Sequence, residues 1–211
     1  GGDKAKLTGI TQFGDVSWGT SFSQAFFGCS NCIGTLPALP TNMLDGTQAF
    51  QDCAFTGSIP SIPSGMTVMT VMFRNNTGFT GNVPVLPSTV TSIQGCYRGC
   101  SGLDGTIGDQ SAADGTLTAV ANAFNGCSSL TGNSEDFWNW TTPPTSFSDC
   151  YTNCTTLTDY DYIPTTYGGP GLLLNNYSAD EAWSVARLLD ADYFGDIITI
   201  VRDSDDEELG V

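Results

Sequence analysis

The chain has 211 residues, 40% of them hydrophobic and only 13% charged, with 6 Lys plus Arg against 22 Asp plus Glu and a formal charge of -16. That hydrophobic share supports a packed core and excludes a wholly disordered chain, while the Gly-, Ser-, Thr- and Asn-rich remainder suits turns. So acidic a surface repels phosphate backbones and anionic lipid, and no run of about 18 apolar residues occurs, which argues against nucleic acid and membrane insertion.

The chain begins at Gly1 without Met, which reads as a mature or trimmed form whose signal peptide, if any, is gone. Residues 1–19, with Phe13 and Trp18, read as an N-terminal cap.

Residues 20–167 carry an internal repeat. An aromatic recurs at Phe26, Phe50, Phe73, Tyr97, Phe124 and Tyr151, at spacings of 24, 23, 24, 27 and 27. Three residues after it stand Cys29, Cys53, Asn76, Cys100, Cys127 and Cys154. Six after it stand Cys32, Phe79, Leu103, Leu130 and Leu157, with Phe55 fitting if the second unit lacks one residue. Mostly apolar positions also fall four and seven residues before it. Steps of seven, four and three describe one face of a short helix. In the first three units an extended, proline-bearing stretch follows: Gly34-x-Leu36-Pro37-x-Leu39-Pro40, then Gly57 to Pro63 and Gly81 to Pro87. Prolines at that density exclude a helix and disfavour a central strand.

One such unit cannot bury its apolar face alone, whereas stacked units share a core, and the period lies in the leucine-rich-repeat range. The expected fold is therefore an α/β solenoid, a leucine-rich-repeat-like stack of six short helix plus extended-strand repeats with N- and C-terminal caps. Its repeat core comprises the six aromatics together with Cys29, Cys53, Cys100, Cys127 and Cys154.

The strings AFFGCSNC from Ala25, CYRGCSGLDG from Cys96 and AFNGCSSLTG from Ala123 resemble cysteine-containing bacterial leucine-rich repeats of the BspA type, and Ile10 to Trp18 resembles the lead-in to such arrays. The resemblance covers roughly residues 7 to 165. It implies a secreted or surface-displayed protein with a role in attachment, and similar modules also occur in phage virion proteins. The proline-rich stretches depart from the family pattern, and the family offers no catalytic residues.

Residues 168–211 are expected to form a C-terminal helix–strand cap with an acidic tail. Ser178 suits an N-cap, Ala182, Trp183, Ala186, Leu188 and Leu189 an amphipathic helix, and Ile197 to Val201 a buried strand. An alternative use of that strand, through Ile197, Ile198 and Ile200, is pairing with another subunit. Asp203, Asp205, Asp206, Glu207 and Glu208 read as a solvated run.

All eight cysteines fall in repeat columns shared with apolar residues, which favours packing as small hydrophobes over zinc or disulfides. The absence of histidine removes the usual general base and the commonest metal ligand, so the expectation is no enzyme, no cofactor and no metal site. Asp104, Asp109 and Asp114 in LDGTIGDQSAADG read as turn formers first and calcium ligands second.

Arg74 and Arg98 directly follow their aromatics in neighbouring units, so they are expected to lie side by side, serving ordinary surface charge balance first and, as the alternative, gripping a carboxylate or sulfate of a glycan or an acidic subunit tail. Trp138 and Trp140 either stack on a ligand from a loop or plug the space between units. The two functional expectations are a non-catalytic surface-displayed module for recognition or adhesion with a glycan or protein ligand, extracellular or at the cell surface, and a structural subunit of a phage virion (tail fibre or capsid decoration) or an extracellular filament, with copies of itself or virion proteins as partners.

Overall fold

In the computed structural model the described residues are 4–14 and 19–171, with the backbone of 200–201 and 208–209. The chain divides into two units, Gly1–Gly171 and Leu172–Val211.

In the first unit each repeat is folded by two left-handed residues. Two positions before each aromatic, Gln24, Gln48, Val71, Gly95, Asn122 and Asp149 have φ between 56 and 59°. Two positions after it, Gly28, Asp52, Asn75, Gly99, Gly126 and Asn153 have φ between 57 and 81°. A left-handed residue every four positions prevents α-helix propagation, because the next carbonyl no longer points along a helix axis. Each repeat instead closes three successive tight turns. In the fourth, the amide of Cys96 donates to Ile93 O at 2.9 Å, that of Arg98 to Gly95 O at 3.2 Å and that of Cys100 to Tyr97 O at 2.9 Å.

The intervening amides point the other way. Ile93, Gly95, Tyr97 and Gly99 donate to the carbonyls of Ala119, Ala121, Ala123 and Asn125 in the next repeat, at 2.8 to 2.9 Å. The same four-bond set joins Phe22, Gln24, Phe26 and Gly28 to the second repeat and recurs at every later junction through to the sixth. Single-residue parallel bridges run alongside, Ser21 to Asp45 to Val68 to Ser92 to Ala119 to Ser146. Backbone groups beside the core are thereby paired either within a turn or between repeats.

The expected α/β solenoid of helix-plus-strand repeats is therefore not the architecture formed. Among the described residues no α-helix occurs; the helical pieces are three-residue 3-10 turns. Among the described residues of the first unit the sheet is a small, open, three-stranded parallel one of β1 (Ile33–Thr35), β2 (Ala54–Ser58) and β3 (Gly78–Thr80). Its register pairs Gly34 with Phe55 and Gly57 with Phe79. The periodic apolar steps are real, but the left-handed residues between them turn a helical face into a ladder of turns.

Proline and aspartate explain why the sheet stays small. Pro40, Pro63 and Pro87 start turns whose carbonyls accept the amides of Met43, Met66 and Val90 at 3.0 to 3.1 Å. Beyond β3, Asp104 accepts the Gly81 amide at 2.7 Å, occupying with a side chain a donor that a further strand would need.

The core is a column of rings. Successive centroids from Phe26 through Phe50, Phe73, Tyr97 and Phe124 to Tyr151 lie 5.5 to 5.9 Å apart, with planes within 19° of parallel. Stacked pairs of this kind contribute about 0.5–1.5 kcal/mol each beyond area burial. Cys32, Phe55, Phe79, Leu103, Leu130 and Leu157 form a second buried column. Gly46 stands where other repeats place larger side chains, since a Cβ there would lie 2.5 Å from Met72 Sδ.

Both ends of the ring column are covered. Phe13 meets Phe22, Phe26 and Phe50 at 6.0 to 6.2 Å; Trp18 lies outside the described residues. At the far end the Tyr167 ring stacks on Phe147 at 4.6 Å and its carbonyl accepts the Tyr151 amide at 2.8 Å. In the second unit, β4 (Ile200–Val201) pairs antiparallel with β5 (Glu208–Leu209). The helix expected over Ser178 to Asp190 and most of the expected strand lie outside the described residues.

Candidate recognition face

The left-handed positions that break the helix also set which side chains face solvent. The aromatic is held inward, while the residues two before, one after and two after it form three outer columns. The inner column three after the aromatic is a set of hydrogen-bond donors. The thiols of Cys53, Cys100, Cys127 and Cys154 donate to the aromatic's carbonyl in the preceding repeat, Phe26, Phe73, Tyr97 and Phe124, at 3.0 to 3.1 Å. Asn76, which breaks the cysteine column in sequence, does the same work: its Nδ2 donates to Phe50 O at 2.8 Å.

All eight cysteines are buried free thiols. Burial pushes the Cys53, Cys100 and Cys154 thiols up to about 12, and raises Cys127 and Cys150 further in the same direction. A thiol held protonated is a poor nucleophile and a poor metal ligand. Among the described residues no group of three or more Cys, Asp or Glu is placed to hold a metal ion. The acidic loop is used internally instead. Asp104 holds the Gly81 amide, Asp109 the Ser111 amide at 2.8 Å, and Asp114 the amides of Thr141 and Thr142 at 3.0 Å.

The outer face carries the arginine pair. Arg74 and Arg98 occupy the position after the aromatic on consecutive rungs, joined by the bond from the Asn75 amide to Arg98 O at 2.8 Å. Arg98 is exposed and Arg74 half-buried. Arg74 Nε lies buried without a hydrogen-bond partner, an arrangement that costs about 1–3 kcal/mol. Burial of its Nε lays this side chain against the surface rather than out into water. Among the described residues neither guanidinium makes an ion pair.

Amide side chains surround the pair. Gln24 Nε2 donates to Gln48 Oε1 at 2.9 Å, Gln48 Nε2 to Gln51 Oε1 at 3.0 Å, and Gln51 Nε2 to Asp52 at 2.9 Å. Asn75 Nδ2 also donates to Asp52, at 2.7 Å, and on the other side of Arg98 Asn125 Nδ2 donates to Asn122 Oδ1 at 3.1 Å. A Cβ on Gly99 would sit 2.5 Å from Asn75 Oδ1, so the Asn75 side chain covers this glycine beside Arg98.

The tryptophans belong elsewhere. Trp138 packs edge-on against Tyr151 and Tyr167 at 6.4 and 5.2 Å, and Trp140 against Phe137 at 4.9 Å. Trp140 Nε1 donates to Glu135 at 2.9 Å. Both side chains are half-buried, so they plug the end of the ring column rather than join the arginine face. Ile197 and Ile198 lie outside the described residues, and the backbone of Ile200 pairs with Leu209 of the same chain.

Sequence reasoning missed the left-handed columns that build this face. Their signal was present: the position two after the aromatic holds only Gly, Asp or Asn, the residues that enter the left-handed region most readily. No protein-family model, curated protein or solved structure matches this chain.

Proposed function

We propose that this protein is a non-catalytic recognition module, extracellular or displayed on a cell surface, that binds a ligand through the face built by Arg74 and Arg98. The observation that carries the reading is the arginine pair itself: two guanidiniums on consecutive rungs, with no ion pair among the described residues, in a chain of charge -16. Two cations placed side by side without a carboxylate among the described residues suit a carboxylate or sulfate from outside. The rigid turn ladder beneath them suits recognition, because binding then orders little of the protein. The likeness of the repeats to BspA-type surface repeats points the same way.

The test compares the wild type with the Arg74→Ala, Arg98→Ala double variant on arrays of extracellular glycans and proteins. Binding is expected to be lost while the melting temperature is not lowered, since the variant also removes the buried unpartnered Nε of Arg74. Retention by the double variant of every ligand bound by the wild type overturns the reading. Light scattering on the eluting protein should give the mass of a monomer; stable oligomers would favour the alternative role as an assembly subunit.

A further inference from the structure

We infer that the ligand of this face is an acidic polysaccharide lying along the ladder axis, its carboxylate or sulfate groups on Arg74 and Arg98 and its hydroxyls on the flanking amides. The inference rests on the recognition reading above and adds the chemical class of the ligand; the charge of -16 repels a polyanion from most of the surface, and Arg74 with Arg98 is a place where two cations stand on neighbouring rungs.

Three features select that class. The face is periodic, with rungs spaced as the rings beneath them, 5.9 Å from Phe73 to Tyr97 and 5.5 Å from Tyr97 to Phe124. A periodic surface is matched best by a polymer that repeats its own groups. The side chains beside the arginines are amides: Asn75 on one flank of Arg98, Asn122 and Asn125 on the other. An amide offers a donor and an acceptor together, which is what a sugar hydroxyl needs. Finally, the strip lacks what a protein partner's hot spot would use. None of the exposed large apolar residues Ile33, Leu44, Val85 and Tyr162 belongs to these columns, whereas protein interfaces centre on buried apolar and aromatic anchors.

The full chain would be titrated by biolayer interferometry against polygalacturonate, the same polymer fully methyl-esterified, dextran sulfate, dextran and poly-glutamate. Binding to polygalacturonate or dextran sulfate is expected, with at least about a tenfold loss on the matching uncharged polymer, since each charge-assisted bond removed is worth about that factor. Arg98→Gln should weaken the charged polymer by about tenfold, Arg98→Lys by less, and Asn122→Ala with Asn125→Ala by a few-fold. Equal binding of poly-glutamate, with the amide double variant unaffected, overturns the saccharide class while leaving recognition by the arginine pair intact. Binding to none of the polymers, with the glycan and protein arrays still separating wild type from the arginine variant, also overturns it. Arrays that fail to separate those two proteins overturn the recognition reading itself.

Discussion

Tyr97 shows how a single polar atom is placed in the ring column. Its hydroxyl is buried with no hydrogen-bond partner, and burial together with the neighbouring thiols of Cys96 and Cys100 raises its pKa well above the usual phenol range. Tyr151, two rungs further on, instead donates its hydroxyl to Glu135 O at 2.6 Å. Removing an unpaired buried hydroxyl recovers its desolvation cost, so Tyr97→Phe should stabilise the protein by about 1 kcal/mol, whereas Tyr151→Phe should cost about 1 kcal/mol. Urea titrations of both variants check the opposite signs. The thiols give a second prediction at this scale. With Cys53, Cys100 and Cys154 held at about 12, almost no thiolate exists at mildly basic pH. Iodoacetamide should therefore leave the native protein essentially unmodified, and intact mass should show all eight cysteines alkylated after denaturation.

Within one repeat, the left-handed pair decides the local fold, and Val71 is the least suited residue in it. Its φ of 57° is strained for a β-branched side chain, while Gly95, Asn122 and Asp149 fill the same column in later repeats. Val71→Asn should stabilise the fold by about 1 kcal/mol, read as an increase in the urea midpoint with unchanged slope. Gly99→Ala should act in the opposite direction, because a Cβ there both strains φ and collides with Asn75 Oδ1. Threonine reinforces the rungs from outside. The hydroxyls of Thr67, Thr91 and Thr118 each donate to the carbonyl one repeat earlier, at 2.8 to 3.1 Å, beside their own amides. Register was legible in the sequence at this scale, because ring, thiol and apolar columns repeat by residue type. Turn geometry was not read, since steps of seven, four and three fit a helix and a pair of tight turns equally well.

In the four-bond set around each aromatic the inter-repeat amides point toward the C-terminal end and the accepting carbonyls toward the N-terminal end. The first rung thus ends in carbonyls of Ser21, Ser23, Ala25 and Phe27 that accept no backbone amide among the described residues, and Lys4 lies at that end with its Nζ 4.2 Å from the Phe27 ring centroid. Aligned peptide dipoles favour a cation at a carbonyl end, as at a helix C-terminus. Among the described residues two carboxylates with opposite shifts contribute to acid stability. Burial raises Asp45, but the bonds from Thr47 and Ser21 outweigh it and leave its pKa below the ordinary 3.8. Asp45 therefore contributes stability that is present above that value and lost as pH falls through its lowered folded value. Burial raises Glu135 above the ordinary 4.5, more than its bonds from Trp140 and Gln110 lower it. Its ionisation costs stability, so that contribution declines as pH rises from 4.5 through the raised value. Denaturant midpoints across the acid range should lose the low-pH step in Asp45→Asn and the higher-pH decline in Glu135→Gln.

The amino-acid sequence determined which residues share a column, that rings and thiols lie inside, and that Arg74 and Arg98 are neighbours, because side chains of one type recurring at one interval must meet if repeats lie on one another. Only the tertiary structure decided that each repeat is a set of turns, that Trp138 and Trp140 close the ring column, and that Asn76 serves where cysteine stands elsewhere. The physical reason is that an amide's destination depends on its neighbours in space. Whether it closes a helix or crosses to the next repeat is settled by the carbonyl waiting there, some 24 residues away in the chain.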